Sequence, residues 1–268
     1  MNSVNRTSRH EAILRLLHER GELGVEELSG RFDVNSMTIR RDLDAMAATG
    51  VLVRTHGGCV LQAPMVREFT FSEKIRLNAA QKTAIARAAV ALLETGQTAY
   101  LDTGTTALHV ARELPRDAHL RVVTNNLRVA MELFGQGDIE VIVPGGTLGK
   151  KSPDLTGPLH AAALSGLHFD VAFLGADAID VARGELFAAD LQTAQLSRTA
   201  QGRSDKVVFL ADATKVNRKG LAGVGRIRKG TILITDTGID ARDLRRLRKS
   251  GAEIITVGAR RSAKRKGG

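Results

Sequence analysis

The stretch Asn35-Ser36-Met37-Thr38-Ile39-Arg40-Arg41-Asp42-Leu43 decides how the first part of this chain is interpreted. Asn35 is a favourable helix N-cap, because its side-chain oxygen can accept a hydrogen bond from a backbone N–H of the first turn. Ile39, Leu43 and Met46 recur at spacings of four and three, so they share one face of a helix. The pattern predicts a helix from Asn35 to Thr49 that packs through this apolar face.

The other side of this helix carries side chains suited to reading DNA. At about 100° per residue, Met37, Arg41 and Asp44 point away from the apolar face, and Thr38 and Arg40 lie on its flanks. An arginine near the start of a helix in the major groove can bridge O6 and N7 of guanine. An ordinary surface helix with solvated arginines has the same pattern, so this segment alone leaves both interpretations open.

The segments around this helix predict a winged helix-turn-helix over residues 1–61. Arg6 to Arg20 and Val25 to Phe32 are amphipathic and predict two preceding helices. Val51 to Leu61 reads as strand, turn and strand, with a glycine pair at the tip. This hairpin is the predicted wing, and it places Arg54 and His56 where they can touch phosphate or the minor groove.

The charge distribution separates the predicted recognition helix from most of the basic residues. The chain has a net charge of +10, but residues 1–60 hold eight arginines and eight acidic residues and are therefore neutral. Residues 242–268 hold ten Lys or Arg and two acids. We expect residues 259–268 to be a disordered basic tail, which is either simply solvated or attracts DNA phosphate non-specifically.

The composition excludes several classes of protein. The single cysteine, Cys59, excludes an internal disulfide and a Cys-rich zinc site, and it is predicted to be a buried packing residue. The seven histidines show no metal-ligand spacing, so neither a metal nor a cofactor is expected. No apolar run resembles a signal peptide or a membrane span, which predicts a cytoplasmic protein without a membrane partner.

Residues 62–77 are predicted to be a linker, with Arg67 to Ser72 extended or irregular, and residues 78–258 an α/β domain. Apolar strands alternate there with amphipathic helices, which predicts a mostly parallel, Rossmann-type sheet covered on both faces. The predicted strands are Gln97–Asp102, Leu120–Thr124, Ile139–Val143, Asp170–Leu174, Lys206–Ala211, Thr231–Thr235 and Ala252–Val257. The predicted helices are 78–93, 105–114, 126–134, 158–166, 190–203 and 240–250.

Polar or glycine residues follow five of these strands. In a parallel sheet such strand ends share one rim, where ligands bind, and a helix that begins there offers free N–H groups to phosphate. Each strand end alone is better explained as a cap or a turn, but five together favour a pocket. The segments are Asp102-Thr103-Gly104-Thr105-Thr106, Thr124-Asn125, Gly145-Gly146, Gly175-Ala176-Asp177 and Asp212-Ala213-Thr214-Lys215.

Two runs of the first domain carry a family resemblance. Val34-Asn35-Ser36-Met37-Thr38-Ile39-Arg40-Arg41-Asp42-Leu43, followed by Gly50-Val51-Leu52-Val53-Arg54-Thr55-His56-Gly57-Gly58, resembles the DeoR family of bacterial transcriptional regulators. The resemblance implies that the helix beginning near Ser36 reads the operator. The predicted DNA-binding residues are Ser36, Met37, Thr38, Arg40, Arg41, Arg54 and His56.

The strand ends of the second domain resemble the DeoR sensor domain in the same order. The resemblance implies a fold similar to sugar-phosphate isomerases and an effector that is a phosphorylated sugar or a related intermediate. Gly104, Thr105 and Thr106 would hold the phosphate. The remaining predicted effector residues, which face the sugar or position the loops, are Asp102, Thr124, Asn125, Gly145, Gly146, Asp177 and Lys215.

The helix predicted at 190–203 departs from the family pattern. The family usually carries an acidic residue and a lysine there, and the corresponding positions are Thr193 and Ser197. The segment Gly184-Glu185-Leu186-Phe187 is also unusual, since small polar residues are more typical. Either the effector differs from the common ones, or this side of the pocket is relaxed.

The preferred functional hypothesis is an effector-responsive repressor of a sugar or polyol catabolism operon. Its partners would be double-stranded operator DNA, the effector and a second copy of the chain, in a dimer or tetramer that places two recognition helices in successive major grooves. The alternative is a sugar-phosphate isomerase with Asp177 or Asp180 as base and Lys215 as electrophile. The missing acid at Thr193 argues against catalysis, so no catalytic residue is expected.

Overall fold

The computed structural model describes residues 6–48, 52–61, 71–150 and 152–258, which form parts of two compact units. The first unit is Met1–Glu68 and the second is Phe69–Gly268. Predictions for Thr49, Gly50, Val51, residues 62–70 and the basic tail 259–268 lie outside the described residues.

The first unit has the predicted three helices and hairpin, together with one strand that was not predicted. Its β-sheet is antiparallel in the order β1-β3-β2, because the short strand after the first helix pairs with the second strand of the hairpin. The elements are α1 (Arg6–Arg20), β1 (Glu22–Gly24), α2 (Val25–Phe32), α3 (Ser36–Ala48), β2 (Leu52–Arg54) and β3 (Gly58–Leu61).

The apolar face predicted for α3 is the face that packs into the core of this unit. Ile39, Leu43 and Met46 are all buried and belong to one cluster with side chains of α1 and α2. Cys59 is buried in the same cluster, as predicted. At Gly58 a Cβ atom would overlap the backbone carbonyl of Leu23, so the close approach of β3 to β1 requires glycine.

A buried ion pair joins α1 to α3. The Asp42 carboxylate accepts a hydrogen bond from Arg9 Nε at 2.6 Å, and His10 Nε2 lies 3.0 Å from its other oxygen. Burial acts to raise the pKa of Asp42, but the hydrogen bonds and charges of Arg9 and His10 outweigh it and hold the pKa below its usual value. Asp42 therefore belongs to the interior of the unit although it follows two exposed arginines.

The second unit is built on a parallel sheet of seven strands in the described residues, in the order β15-β14-β12-β9-β4-β5-β6. All six strand pairs are parallel, which confirms the predicted fold class. The sheet strands are β4 (Thr98–Leu101), β5 (Arg121–Thr124), β6 (Glu140–Ile142), β9 (Phe169–Gly175), β12 (Ser204–Leu210), β14 (Thr231–Asp236) and β15 (Glu253–Val257).

Helices cover both faces of this sheet, because side chains of each strand alternate between two apolar clusters. Ala99 and Leu101 of β4 pack into one cluster, whereas Tyr100 packs into the other. The helices are α4 (Phe71–Arg76), α5 (Ala79–Val90), α6 (Thr105–Glu113), α7 (Leu127–Leu133), α8 (Pro158–Ser165), α9 (Leu191–Gly202) and α10 (Ala241–Arg248).

Two small antiparallel sheets were not predicted. A two-stranded hairpin follows the Gly145-Gly146 turn, and a three-stranded sheet has the order β10-β11-β13. Four of their five strands are only two to four residues long, and their pairing depends on partners elsewhere in the chain. They are β7 (Thr147–Leu148), β8 (Leu155–Thr156), β10 (Ala178–Asp180), β11 (Glu185–Ala188) and β13 (Ala222–Arg226).

The prediction that residues up to Ser72 are extended, within a linker reaching residue 77, is wrong for its last part. Residues from Phe71 to Arg76 form the helix α4, which begins the second unit. The physical reason is Phe71, which is buried in the apolar cluster beside α5 and α6. Phe71 and the partly buried Ile75 both pack against this cluster and hold the short helix against the domain.

Candidate functional site

The sheet of the second unit has a topological switch point between β4 and β9. From β4 the chain moves outward through β5 to β6, and it then returns to the other side of β4 and continues through β9, β12, β14 and β15. The connections beyond the carboxyl ends of β4 and β9 therefore diverge and leave a crevice between them, which is where ligands bind in open α/β sheets. Asp102 follows β4 at this point, and β9 ends at Gly175.

Asp102 lies buried at the switch point. Its Oδ2 accepts hydrogen bonds from the Ser197 hydroxyl at 2.9 Å and from the Gly175 backbone N–H at 3.2 Å. Its Oδ1 is buried without a side-chain or backbone hydrogen bond of good geometry from the described residues. Burial raises the pKa of Asp102 to about 7, since the Thr103 backbone N–H, Ser197 and Gly175 offset the loss of water only in part.

The Gly104-Thr105-Thr106 loop opens α6 beside Asp102. Gly104 has φ of 100°, a conformation that favours glycine, and no side chain of the described residues caps the helix. The first-turn N–H groups of α6 are therefore not capped by a side chain and can meet an anion. Thr105 is buried, with 6% of its surface exposed, and Thr106 is half-buried.

The segment after β5 forms a buried polar wall. Thr124 is fully buried and its hydroxyl accepts a hydrogen bond from the Asn126 N–H at 3.1 Å. Asn125 donates to the Leu155 carbonyl at 3.2 Å, while its own Oδ1 is buried without a partner among the described residues. Asn126 donates to Asp154 at 2.6 Å. Thr124 thus shapes the loop, and Asn125 presents an unused acceptor.

The Gly145-Gly146 turn makes a tight approach to neighbouring backbone. Both glycines have positive φ, and a Cβ at Gly146 would lie 2.7 Å from the Thr156 carbonyl oxygen. His160 Nδ1 contacts the Gly145 carbonyl at 2.8 Å. These contacts support a packing role for Gly146. At Gly145 the Cβ position faces open space, so this residue is not required for packing in the same way.

Asp177 stands between two lysines on the other side of the crevice. Its Oδ1 lies 3.2 Å from Lys74 Nζ and 3.9 Å from Lys215 Nζ, and its Oδ2 accepts from the Ala189 N–H at 3.1 Å. Burial acts to raise the pKa of Asp177, but the two ammonium groups hold it below its ordinary value. Burial lowers the pKa of Lys215.

The two positions that depart from the family pattern have clear local roles. Ser197 donates to Asp102, as described above, and Thr193 donates its N–H and its hydroxyl to the side chain of Asp190, which caps α9. In the segment after Gly184, Glu185 pairs with Arg226 across the β11–β13 ladder. A hydroxyl, which carries no charge, therefore stands beside Asp102 at position 197.

Sequence analysis missed three charged residues around the crevice. Lys74 lies in the segment taken as a linker, and Asp154 lies between two short strands. Lys82 is buried and donates to the carbonyls of Lys74 and Leu77 at 2.6 and 2.8 Å, and burial lowers its pKa to about 8. Of these three residues, only Lys82 could have been noticed in the sequence, because it lies within the apolar, alanine-rich face of a predicted helix.

The exposed face of α3 carries the predicted DNA-contacting side chains. Met37, Arg40 and Arg41 are exposed, Ser36 and Thr38 are half-buried, and Asn35 Oδ1 accepts from the Met37 N–H at 2.8 Å as the predicted N-cap. This helix presents two arginines and a cap in the arrangement that its sequence predicted.

The wing is tied to α3 by Arg54. Its Nε donates to Asp44 at 2.8 Å and its Nη1 donates to the Gly58 carbonyl at 2.8 Å. His56 is exposed at the turn of the wing. Arg54 therefore positions the wing in the free protein, and His56 is the predicted wing contact with the freer side chain.

Models of two families match consecutive parts of the chain. The DeoR-like helix-turn-helix domain matches residues 9–64, and the DeoR C terminal sensor domain matches residues 77–237. The chain belongs to the DeoR family of transcriptional regulators. This membership confirms the resemblance deduced from the sequence and the expectation of a DNA-binding regulator rather than an enzyme.

Several relatives align with this DeoR-family protein over most of its length. A putative aga operon transcriptional repressor of Escherichia coli O157:H7 is 34% identical over 94% of each chain. The HTH-type transcriptional regulator GlpR of Haloferax volcanii is 34% identical over 94% of this chain and 98% of its own. The glycerol-3-phosphate regulon repressor of Escherichia coli K12 is 31% identical over 87% and 92%.

Among solved structures, ribose 5-phosphate isomerase A from Methanocaldococcus jannaschii is similar to part of this chain. It is 20% identical, with a TM-score of 0.40, over 53% of this chain and 56% of that protein. Within the described ranges, His, Cys, Asp and Glu side chains form no group of three that could hold a metal ion. No helix in the same ranges is long and apolar enough to cross a membrane.

Proposed function

We propose that this DeoR-family protein represses a sugar or polyol catabolism operon and is released from its operator by a phosphorylated intermediate of that pathway. The observation that carries the proposal is the pairing of an exposed α3 surface bearing Arg40 and Arg41 with a separate crevice at the sheet switch point. Relatives named for the aga operon and the glycerol-3-phosphate regulon support the substrate class.

The chemistry of the crevice suits a phosphorylated polyol. The uncapped N-terminus of α6 and the ammonium groups of Lys74 and Lys215 favour an anion, whereas the buried oxygens of Asp102 and Asn125 need hydrogen-bond donors. Hydroxyl groups of a sugar or polyol supply such donors. One ligand that carries both groups would therefore satisfy both sides of the crevice.

Repression by this protein also requires a homo-oligomer. The first domain is neutral over residues 1–60, so a single recognition helix has little general attraction to phosphate. When two DNA-binding domains are joined in one oligomer, the second domain binds the same DNA intramolecularly, which raises the effective affinity. We propose a dimer or tetramer for this reason, and light scattering of the purified protein at working concentration tests it.

Replacing Arg41 with alanine should weaken binding to the operator by about tenfold or more, since a bidentate contact with guanine contributes about 1–3 kcal/mol. The operator is first selected from random duplexes with the wild-type protein, and affinity is then measured by fluorescence anisotropy at fixed salt. The control is Arg245→Ala, which removes one charge from an exposed position on α10. Equal losses for the two variants would argue against α3 as the reading element.

A phosphorylated sugar or polyol should raise the melting temperature of the protein and lower its affinity for the selected operator. Preferential binding to the folded state stabilises it by RT ln(1 + [L]/Kd), so a thermal-shift panel of such compounds finds the effector. Any compound found is then added to the DNA-binding assay. A ligand that leaves the DNA affinity unchanged contradicts the switch, because a ligand shifts an equilibrium only by its differential affinity.

A further inference from the structure

Lys74 projects from α4 into the rim of the crevice. Its Nζ lies 3.2 Å from Asp177 Oδ1, and Lys215 Nζ lies 3.9 Å from the same oxygen. Two ammonium groups thus share one carboxylate oxygen, and the other oxygen is taken by the Ala189 N–H. One positive charge of this trio is left over, which is an arrangement that attracts an anion.

The trio is open to solvent on one side. About 30% of the Lys74 side chain, 31% of the Asp177 side chain and 23% of the Lys215 side chain are exposed. Water and a small anion can therefore reach the ammonium groups of both lysines. The pair Lys74–Asp177 is also weak in itself, since half-exposed pairs contribute little to stability.

The helix that carries Lys74 is attached to the sensor domain at several points. Phe71 is buried in the core, and Lys82 holds the last turn by donating to the carbonyls of Lys74 and Leu77. On another side α4 borders an open groove of about 370 Å³ that it shares with the start of α7 and the turn after β7. Ile75 packs against the core cluster as well, and the contact of Lys74 with Asp177 adds to the hold on α4.

We propose that Lys74 is an effector-binding residue, which exchanges Asp177 for an anionic group of the effector and so fixes α4 more firmly. This rests on the proposed function, and it adds a contact from the helix that begins the sensor domain. Only residues 62–70 separate α4 from the end of the wing in the sequence. Through Lys74 the effector would thus contact α4, the helix that follows the segment after the DNA-binding domain in the sequence.

The test is a comparison of phosphate affinities in three variants of the full-length protein. Inorganic phosphate is titrated at constant ionic strength, with melting temperature as the readout. Lys74→Gln should weaken phosphate binding about tenfold, since it removes a charge-assisted hydrogen bond. Arg76→Gln, which removes the same charge from an exposed position of the same helix, should stay within about twofold of the wild type.

The variant Asp177→Asn should change the phosphate affinity in the opposite direction. It removes the carboxylate that competes for the two lysines, so it should strengthen phosphate binding several-fold, while an amide oxygen can still accept from Ala189. A purely structural role for the Lys74–Asp177 pair would shift the Lys74→Gln and Asp177→Asn variants in the same direction. That result, or wild-type affinity in Lys74→Gln, overturns the proposal, and the Asp177 variant decides it alone if the Lys74 variant does not fold.

Hydrogen exchange tests the effect on α4. Saturating phosphate should slow exchange of the amides in residues 71–77 in the wild type and in Arg76→Gln, but not in Lys74→Gln. Unchanged exchange in the wild type at saturation contradicts the fixing of α4. If neither phosphate nor any sugar or polyol phosphate binds the wild type, the proposed function fails as well. Binding that is insensitive to Lys74 rejects only this further inference.

Discussion

Replacing Asp42 with alanine should destabilise the DNA-binding unit by about 3–5 kcal/mol, which is the usual effect of breaking a buried ion pair. Asp42 is 2% exposed, and the guanidinium of Arg9, 7% exposed, would lose the carboxylate that lies 2.6 Å away. A unit of this size has little stability in excess. We therefore expect loss of operator binding together with fast hydrogen exchange of the amides in α3.

The matched control is Asp44→Ala in the same helix. Asp44 pairs with Arg54, but 64% of its side chain is exposed, and such surface pairs contribute at most about 1 kcal/mol. Hydrogen exchange of the α3 amides in the full-length protein measures both variants. Similar protection in the two would show that the Arg9–Asp42 pair does not hold α1 to α3.

The same pair predicts how this unit responds to acid. The pKa of Asp42 is lowered in the folded state, so the ionised carboxylate contributes stability that is fully present above its unfolded value of about 3.9. That contribution should disappear as the pH falls below about 4 and through the folded pKa. Asp42→Ala should therefore differ least from the wild type in strong acid.

Replacing Asp102 with asparagine should stabilise the sensor domain at pH 8, by as much as about 4 kcal/mol. That figure is the free energy that separates a pKa of about 7 from the ordinary value near 3.9. An acid with a raised pKa resists ionisation when folded, so its cost is absent below pH 4, grows from there to pH 7 and is complete above it. Asparagine keeps an oxygen for Ser197 and Gly175 and carries no charge.

Urea denaturation of the full-length protein at pH 5 and pH 8 measures this effect. The gain from Asp102→Asn should be several-fold larger at pH 8, whereas Asp117→Asn, at an exposed position, should change little at either pH. If the gain in stability did not depend on pH, ionisation of Asp102 would not destabilise the folded protein. A destabilised variant at pH 8 would mean that its charge is satisfied in the folded protein.

A buried carboxyl that costs stability is a sign of function, because groups with perturbed pKa values concentrate at functional sites. Asp102 keeps an unsatisfied Oδ1 at the switch point, beside the uncapped start of α6. A bound hydroxyl group would donate to that oxygen and remove the cost. We therefore expect an effector found in the panel to stabilise the wild type more than Asp102→Asn at pH 8.

Local features of the fold could be predicted because they depend on neighbouring residues. The spacing of Ile39, Leu43 and Met46 predicted the buried face of α3, and Asn35 predicted its cap. The alternation of apolar strands and amphipathic helices predicted a parallel sheet. Short strands such as β1 and β7 escaped prediction, since their pairing depends on partners elsewhere in the chain.

Predictions for the candidate site were less complete. The strand-end segments were identified because each follows an apolar run directly. The burial of Thr124 and the tight packing of Gly146 were not visible, since both depend on how the loops after β5 and β6 meet. Lys74 was missed because its segment was interpreted as a linker, whereas Phe71 and Ile75 pack it against the domain as a helix.

The sequence by itself determined the family, the recognition helix and the order of the strand ends, because short motifs and periodicity are local properties. Only the tertiary structure decided which charges are buried and paired. Arg9 meets Asp42 across 33 positions, Ser197 meets Asp102 across 95, and Lys74 meets Asp177 across 103. Such contacts depend on how helices cross and on the order of strands in the sheet. For the helix that Asn35 caps, the sequence alone therefore predicted the exposed side chains, whereas the ion pair that joins it to α1 depends on the tertiary structure.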